Sequence, residues 1–136
     1  MRSSVSEKPK INVEKHIAYW RDGALEVWKD VDHSMSGRRI AFALFAAHLA
    51  LEKALKAHVV KQTKNLPPMI HNLMALANLA NLKLPSKYAL SLVELNPMNI
   101  VARYPGETVG QIPSFEQAAD MVKRAKEVLE WLIKKL

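Results

Sequence analysis

One stretch constrains this chain more than any other: IAFALFAAHLALEKALKAHVVK, residues 40–61. Ala, Leu and Lys dominate it, residues that lose little rotamer freedom in a helix. Its apolar positions fall on almost every side of a 3.6-residue period, so it reads as a helix buried on most sides. A membrane span is excluded. The apolar run from Ile40 to Ala47, continued at residues 49–51, is interrupted by His48 and followed by Glu52 and Lys53, well short of the roughly 20 residues a bilayer requires. The chain must therefore wrap other elements around this helix.

Those elements are also helical. Val13, Ile17, Trp20, Ala24 and Val31 recur at three- and four-residue steps, which predicts an amphipathic helix over residues 12–32. A turn cluster at residues 32–37 separates it from the helix predicted over residues 38–61, which Pro67 and Pro68 bring to an end. A short helix is expected over residues 70–81, and another from Ser86, read as its N-cap, to Leu95, closed by Asn96 and Pro97. Residues 99–113 read as irregular. Ser114 and Gln117 then form the S-x-x-Q capping box of a last helix, with Lys134 and Lys135 in its final turn. No strand-length alternation occurs. The expected fold is all-α, an antiparallel up-and-down bundle of four to five helices. A length of 136 residues and a hydrophobic share of 49% suit one core, so a single domain is expected over residues 12–136 behind a flexible tail, residues 1–11.

Composition removes several function classes. There is no cysteine, so disulfide scaffolds, thiolate metal sites and a Cys nucleophile are excluded. The four glycines are scattered, which excludes a Gly-rich phosphate loop. No H-E-x-x-H and no paired-carboxylate motif is present, and no metal or other cofactor is expected. The polar beginning of the chain lacks the apolar stretch of a secretion signal, and a cytoplasmic location is expected.

Charge is concentrated in the middle. Residues 1–33 carry six basic and six acidic side chains, whereas residues 38–87 carry eight basic ones against Glu52 alone. Such a segment suits an anionic partner, and it suits equally a solvated basic surface.

Three constellations lie in or just beyond this region. In A-x-H-L-A-L-E-K-A-L-K-A, His48, Glu52 and Lys56 are spaced by four and share a helix face, while Lys53 points about 100° away. The set reads as an intrahelical salt bridge with a neighbouring His, or as a polar cluster meeting an anion or a second subunit. So apolar a helix implies that these groups sit at an interface or are satisfied internally. In P-P-x-x-H-N-L-x-x-L-A, His71 and Asn72 fall near a helix start, where His71 caps the helix or binds phosphate; capping is the favoured reading. In A-R-Y-P-G-E, Arg103 and Tyr104 lie in an inter-helix connection. Arg103 offers a donor fork for an anion and Tyr104 a stacking surface. Alternatively, Arg103 pairs with a helix C-terminus and Tyr104 covers the bundle end.

In this order and spacing, the three motifs H-L-A-L-E-K-A-L-K-A, P-P-x-x-H-N-L-x-x-L-A and A-R-Y-P resemble the HEPN domain (higher eukaryotes and prokaryotes nucleotide-binding), over residues 13–136. The resemblance implies a helical bundle, usually a homodimer, often paired with a minimal nucleotidyltransferase as toxin and antitoxin. Some members are metal-independent ribonucleases, whose site is an Arg followed after four to six residues by a His. Here the positions that follow Arg103 at that spacing are Thr108, Val109 and Gly110, and no other Arg has a His there. The departure argues against catalysis and for a binding module. By the resemblance, Lys53, His71, Asn72, Arg103 and Tyr104 are its candidate nucleotide- or RNA-binding residues, with Arg38 and Arg39 added on charge. Tyr104 is the expected acceptor if the partner enzyme modifies a tyrosine. The alternatives are a ribonuclease toxin with a displaced His, or a purely structural dimerisation bundle.

Overall fold

The computed structural model describes residues 10–104 and 112–136, so the greater part of the expected tail and the Thr108–Gly110 positions lie outside the described residues. Six helices follow one another: α1 (Val13–Ser36), α2 (Ile40–Thr63), α3 (Leu73–Leu79), α4 (Ser86–Leu95), α5 (Met98–Val101) and α6 (Phe115–Lys134). They form an all-α bundle, and no strand occurs among the described residues. α2 is its axis: α1, α3, α4, α5 and α6 all pack on it. Fifteen of its 24 residues are buried, including Leu44, Leu51 and Leu55. Alanines 43, 47, 50 and 54 are fully covered, and their small side chains let neighbouring helices approach closely.

Several boundaries differ from those the sequence suggests, each for a local reason. α1 runs on through the turn cluster to Ser36, because Asp32, His33 and Ser34 are tolerated in an exposed last turn. Gly37 then closes it, its N–H bonding the His33 carbonyl at 3.1 Å. Ser86 is the first helical residue rather than the cap. Pro85 stands in the cap position and no side chain caps this end. Residues 70–72 stay outside α3, since Asn72 caps it by accepting the Ala75 N–H at 3.0 Å. Asn96 and Pro97 do not end helical structure. Pro97 leads straight into the single turn of α5, at the start of a segment expected to be irregular. The capping box at Ser114 and Gln117 forms as expected.

Lys64 ends α2 in the left-handed region, φ 61°. A side chain there meets its own backbone, whereas glycine is free of that penalty. Replacing exposed Lys64 by Gly should raise stability by about 0.5–1 kcal/mol, read as a higher urea midpoint at unchanged slope. A lower midpoint would show that the bond from Lys64 Nζ to the Lys61 carbonyl (2.7 Å) outweighs the backbone term.

Candidate functional site

Two groups of polar residues meet on α2, and they are built differently. The first lies inside the fold. Glu52 is only 5% exposed, and Lys56, one turn on, donates to its Oε2 at 3.0 Å. The loop after Pro67 and Pro68 brings His71 over the same carboxylate, with Nδ1 3.1 Å from each oxygen. Beneath them His48 is 1% exposed, its Nδ1 3.8 Å from Glu52 Oε1, too far for a hydrogen bond. Among the described residues its Nε2 makes no hydrogen bond of ordinary geometry, although the Asn96 side chain lies near enough to favour its charged form. Burial pushes the His48 pKa down, against the pull of the Glu52 carboxylate, so His48 is neutral. Asn96, just after α4, accepts the Leu73 N–H at 3.0 Å and so fixes the approach of α3. The Trp20 ring of α1 covers the Lys56 ammonium at 5.3 Å.

His48, Glu52 and Lys56 are thus internal to one chain. A solvated helix pair of this kind is worth a few tenths of a kcal/mol. Here the lysine is drawn into the fold, and the carboxylate has to neutralise it. His71 does not cap α3, a role Asn72 fills. With Nδ1 turned to Glu52 and the side chain 59% exposed, the imidazole presents Nε2 to solvent.

The second group surrounds the start of α2. Arg39 occupies the N-cap position without a capping side chain, and no acid lies in the first turn, so the free N–H groups there favour negative charge. Arg38, at φ 56°, turns its guanidinium onto the Phe115 ring of α6 at 3.9 Å. Arg39 lies over Phe42 at 5.6 Å. Arg103 reaches across from just beyond α5 to Phe45 at 5.5 Å, its Nε donating to the Asn99 carbonyl at 3.2 Å. Phe42 and Phe45 are one turn apart and border a hollow of about 310 Å³ that Leu49 and Asp30 also line. A second hollow, of about 430 Å³ between Arg39, His33 and Phe42, adjoins it. Tyr104 is exposed beside Arg103. Planar cations on aromatic faces, beside an uncapped helix start, put positive charge and flat rings on one surface.

The sequence candidates therefore divide. Arg38, Arg39, Arg103 and Tyr104 come from two distant segments, and the three arginines are drawn to rings on or facing the first turns of α2. His71 and Asn72 sit at the α3 entry, beside Glu52. Lys53 belongs to neither group: its aliphatic stem lies against α1 at Gly23, where an added Cβ would sit 3.3 Å from Lys53 Cδ. Sequence reasoning passes over Asn96, Phe42, Phe45 and Phe115 as site residues. Phe42 and Phe45 lie in the apolar run that reads as buried on most sides, and Phe115 reads as core of the last helix; only an arginine at each ring distinguishes them.

The HEPN domain profile matches residues 17–136. The chain belongs to the HEPN domain family. Its fold is similar to that in the crystal structure of TT1696 from Thermus thermophilus, with a TM-score of 0.74 at 23% identity over 89% of this chain and 98% of that one. No curated protein sequence matches it. As a HEPN domain it is a nucleotide- or RNA-related module. None of the helices among the described residues is long and apolar enough to cross a membrane. No group of three or more His, Cys, Asp or Glu among them is arranged to hold a metal ion.

Proposed function

We propose that this HEPN domain is a non-catalytic binding module that holds a nucleotide or a short RNA at the arginine–phenylalanine surface around the start of α2. The observation that carries the reading is the convergence of Arg39 and Arg103, from separate parts of the chain, on the neighbouring rings of Phe42 and Phe45. Guanidinium groups supply planar forks for phosphate, and half-exposed rings supply sequence-tolerant stacking. The missing Arg–His spacing supports binding rather than cleavage. Isothermal titration with ATP, GTP and a short RNA should show affinity that falls as salt rises, because bound counterions are released. Arg39→Ala/Arg103→Ala should weaken binding at least tenfold, whereas Lys53→Ala should leave it unchanged. Equal affinity of the double variant would overturn the assignment.

By the family resemblance, this module works as a homodimer paired with a minimal nucleotidyltransferase in a toxin–antitoxin system in the cytoplasm. Tyr104, exposed beside Arg103, is then the acceptor. Incubation with such an enzyme and ATP should add the mass of AMP to the wild type and nothing to Tyr104→Phe. No addition to the wild type would remove this part of the reading.

One observation favours a second reading, a metal-independent ribonuclease: a buried carboxylate fixes His71 Nδ1 and leaves Nε2 facing solvent. An imidazole held in this way is oriented for proton transfer. RNA cleavage in EDTA, lost in His71→Ala, would establish catalysis and displace the binding reading. Retained RNA without cleavage would support binding alone.

A further inference from the structure

The arginine–phenylalanine surface holds one residue that an attraction for phosphate does not explain. Asp30 of α1 stands in the hollow of about 310 Å³ between α1 and α2. Val27, Asp30 and Ser34 follow one another at three- and four-residue steps on α1 and meet Phe42, Phe45 and Leu49 of α2 around it. Among the described residues that line this hollow, Asp30 alone is charged. None of the ion pairs among the described residues involves it. The adjoining hollow, of about 430 Å³, shares Ser34 and Phe42 with the first and carries the opposite charge, on Arg39. One surface therefore has two halves, a basic half and an aromatic half with a lone carboxylate. A carboxylate beside bound phosphate repels it, unless the ligand also brings donors to that carboxylate. Ionised Asp30 can only accept hydrogen bonds, on two oxygens side by side.

We infer that Asp30 makes this surface select guanine among the bases. The inference rests on the nucleotide-binding reading above and deepens it. The phosphate lies with Arg39, and the base lies against Phe42 and Phe45. The Asp30 carboxylate accepts from the N1–H and the 2-amino group, two donors side by side on the guanine edge, and its charge strengthens both bonds. The other bases do not match in this way. Adenine and cytosine set a ring lone pair beside their amino group, and uracil flanks its one N–H with two carbonyls. Each of them turns a repelling atom toward the carboxylate. The hollow lies at the small end of the range for organic ligands, about 300–1,000 Å³, which suits a single base.

The test is isothermal titration of the full chain with GMP, IMP and AMP, which carry the same phosphate and differ at the base edge. GMP should bind roughly tenfold tighter than AMP, the discrimination of a good two-bond pair to a base. IMP lacks the 2-amino group and should fall between them. Asp30→Asn, at an exposed position, replaces one acceptor by a donor and should erase the preference for GMP. Equal affinity for GMP and AMP, lost in Arg39→Ala/Arg103→Ala, would overturn the guanine assignment and leave the nucleotide-binding reading standing. A preference for GMP that persists in Asp30→Asn would do the same to the role of Asp30. No binding of any nucleotide or RNA would overturn both readings. A short adenylate RNA carrying one guanosine, set against GTP, separates the two sources of the base. Tighter binding of the RNA supports a guanine within a strand and tighter binding of GTP a free nucleotide, and in either case Asp30→Asn should lower the affinity.

Discussion

Glu52→Gln should destabilise the domain by about 3–5 kcal/mol, because it leaves the Lys56 ammonium buried without its counter-charge. Lys56 is 6% exposed and its Nζ bonds Glu52 at 3.0 Å. The Trp20 ring also lies over it at 5.3 Å, and a ring face is worth far less than a carboxylate. The His71 contact is lost as well, which releases the loop that leads into α3. For a domain of this size the change corresponds to a melting temperature lower by roughly 10–20 °C. The double variant Glu52→Leu/Lys56→Met should recover much of the loss, since removing both charges leaves no buried ion to neutralise. Chemical denaturation of the wild type, both single variants and the double variant gives the coupling directly. A Glu52→Gln protein within about 1 kcal/mol of wild type would mean that Lys56 swings out to water, and the internal cluster would lose its role.

Acid should weaken the fold through two histidines. Burial pushes the pKa of both His48 and His58 below the ordinary histidine value of 6.5. For His48, the Glu52 carboxylate and the Asn96 side chain oppose the shift, while the His71 ring adds to it and the His71 backbone opposes it. For His58, the Leu132 carbonyl opposes it and Lys61 adds to it. His58 donates from Nε2 to that carbonyl at 2.7 Å, which ties α2 to the last turn of α6. Both groups remain neutral in the fold below the pH at which they charge in the unfolded chain. Between the lowered folded pKa and 6.5 the unfolded state binds more protons, so stability rises with pH. The stabilisation is complete above 6.5 and is lost as pH falls toward the folded value. Each histidine contributes a slope of up to about 1.4 kcal/mol per pH unit in that window, and the two together about twice that. Urea unfolding at about pH 7.5, 6.5 and 5.5 should show little change over the first step and a large loss over the second. His48→Leu should remove about half of the slope. A flat profile below pH 6.5 would show that both rings admit water.

The long helices are legible in the sequence because periodicity reports burial directly. α1 and α6 carry apolar stripes, and the Ser114–Gln117 box marks a start that forms as read. α2 is legible as a buried helix for the opposite reason, its lack of a polar face. What the pattern does not supply is the identity of each neighbour. Nothing in the spacing of Glu52 and His71, nineteen residues apart, joins them; the two prolines and the Asn72 cap do so by fixing the path into α3. Asn72 reads as a candidate ligand residue in the sequence, whereas its side chain is engaged as a cap. The single turn of α5 escapes sequence reasoning because four residues after a proline carry no periodic signal. Arg103 is marked by its loop, but its ring at Phe45 depends on how that turn docks against α2.

The buried circumference of α2 has a consequence for the living cell. Translation delivers α1 and α2 well before α6, and domains assemble as they emerge, N-terminal parts first. Until α6 arrives, His58 lacks the Leu132 carbonyl and Lys61 lacks the Lys135 carbonyl, to which its Nζ bonds at 2.8 Å. The back of the helix is then bare Ala, Leu and Val. A nascent chain stalled at that point displays one of the stickiest surfaces the protein ever shows, and it should depend on holdase chaperones in a way that the finished domain does not.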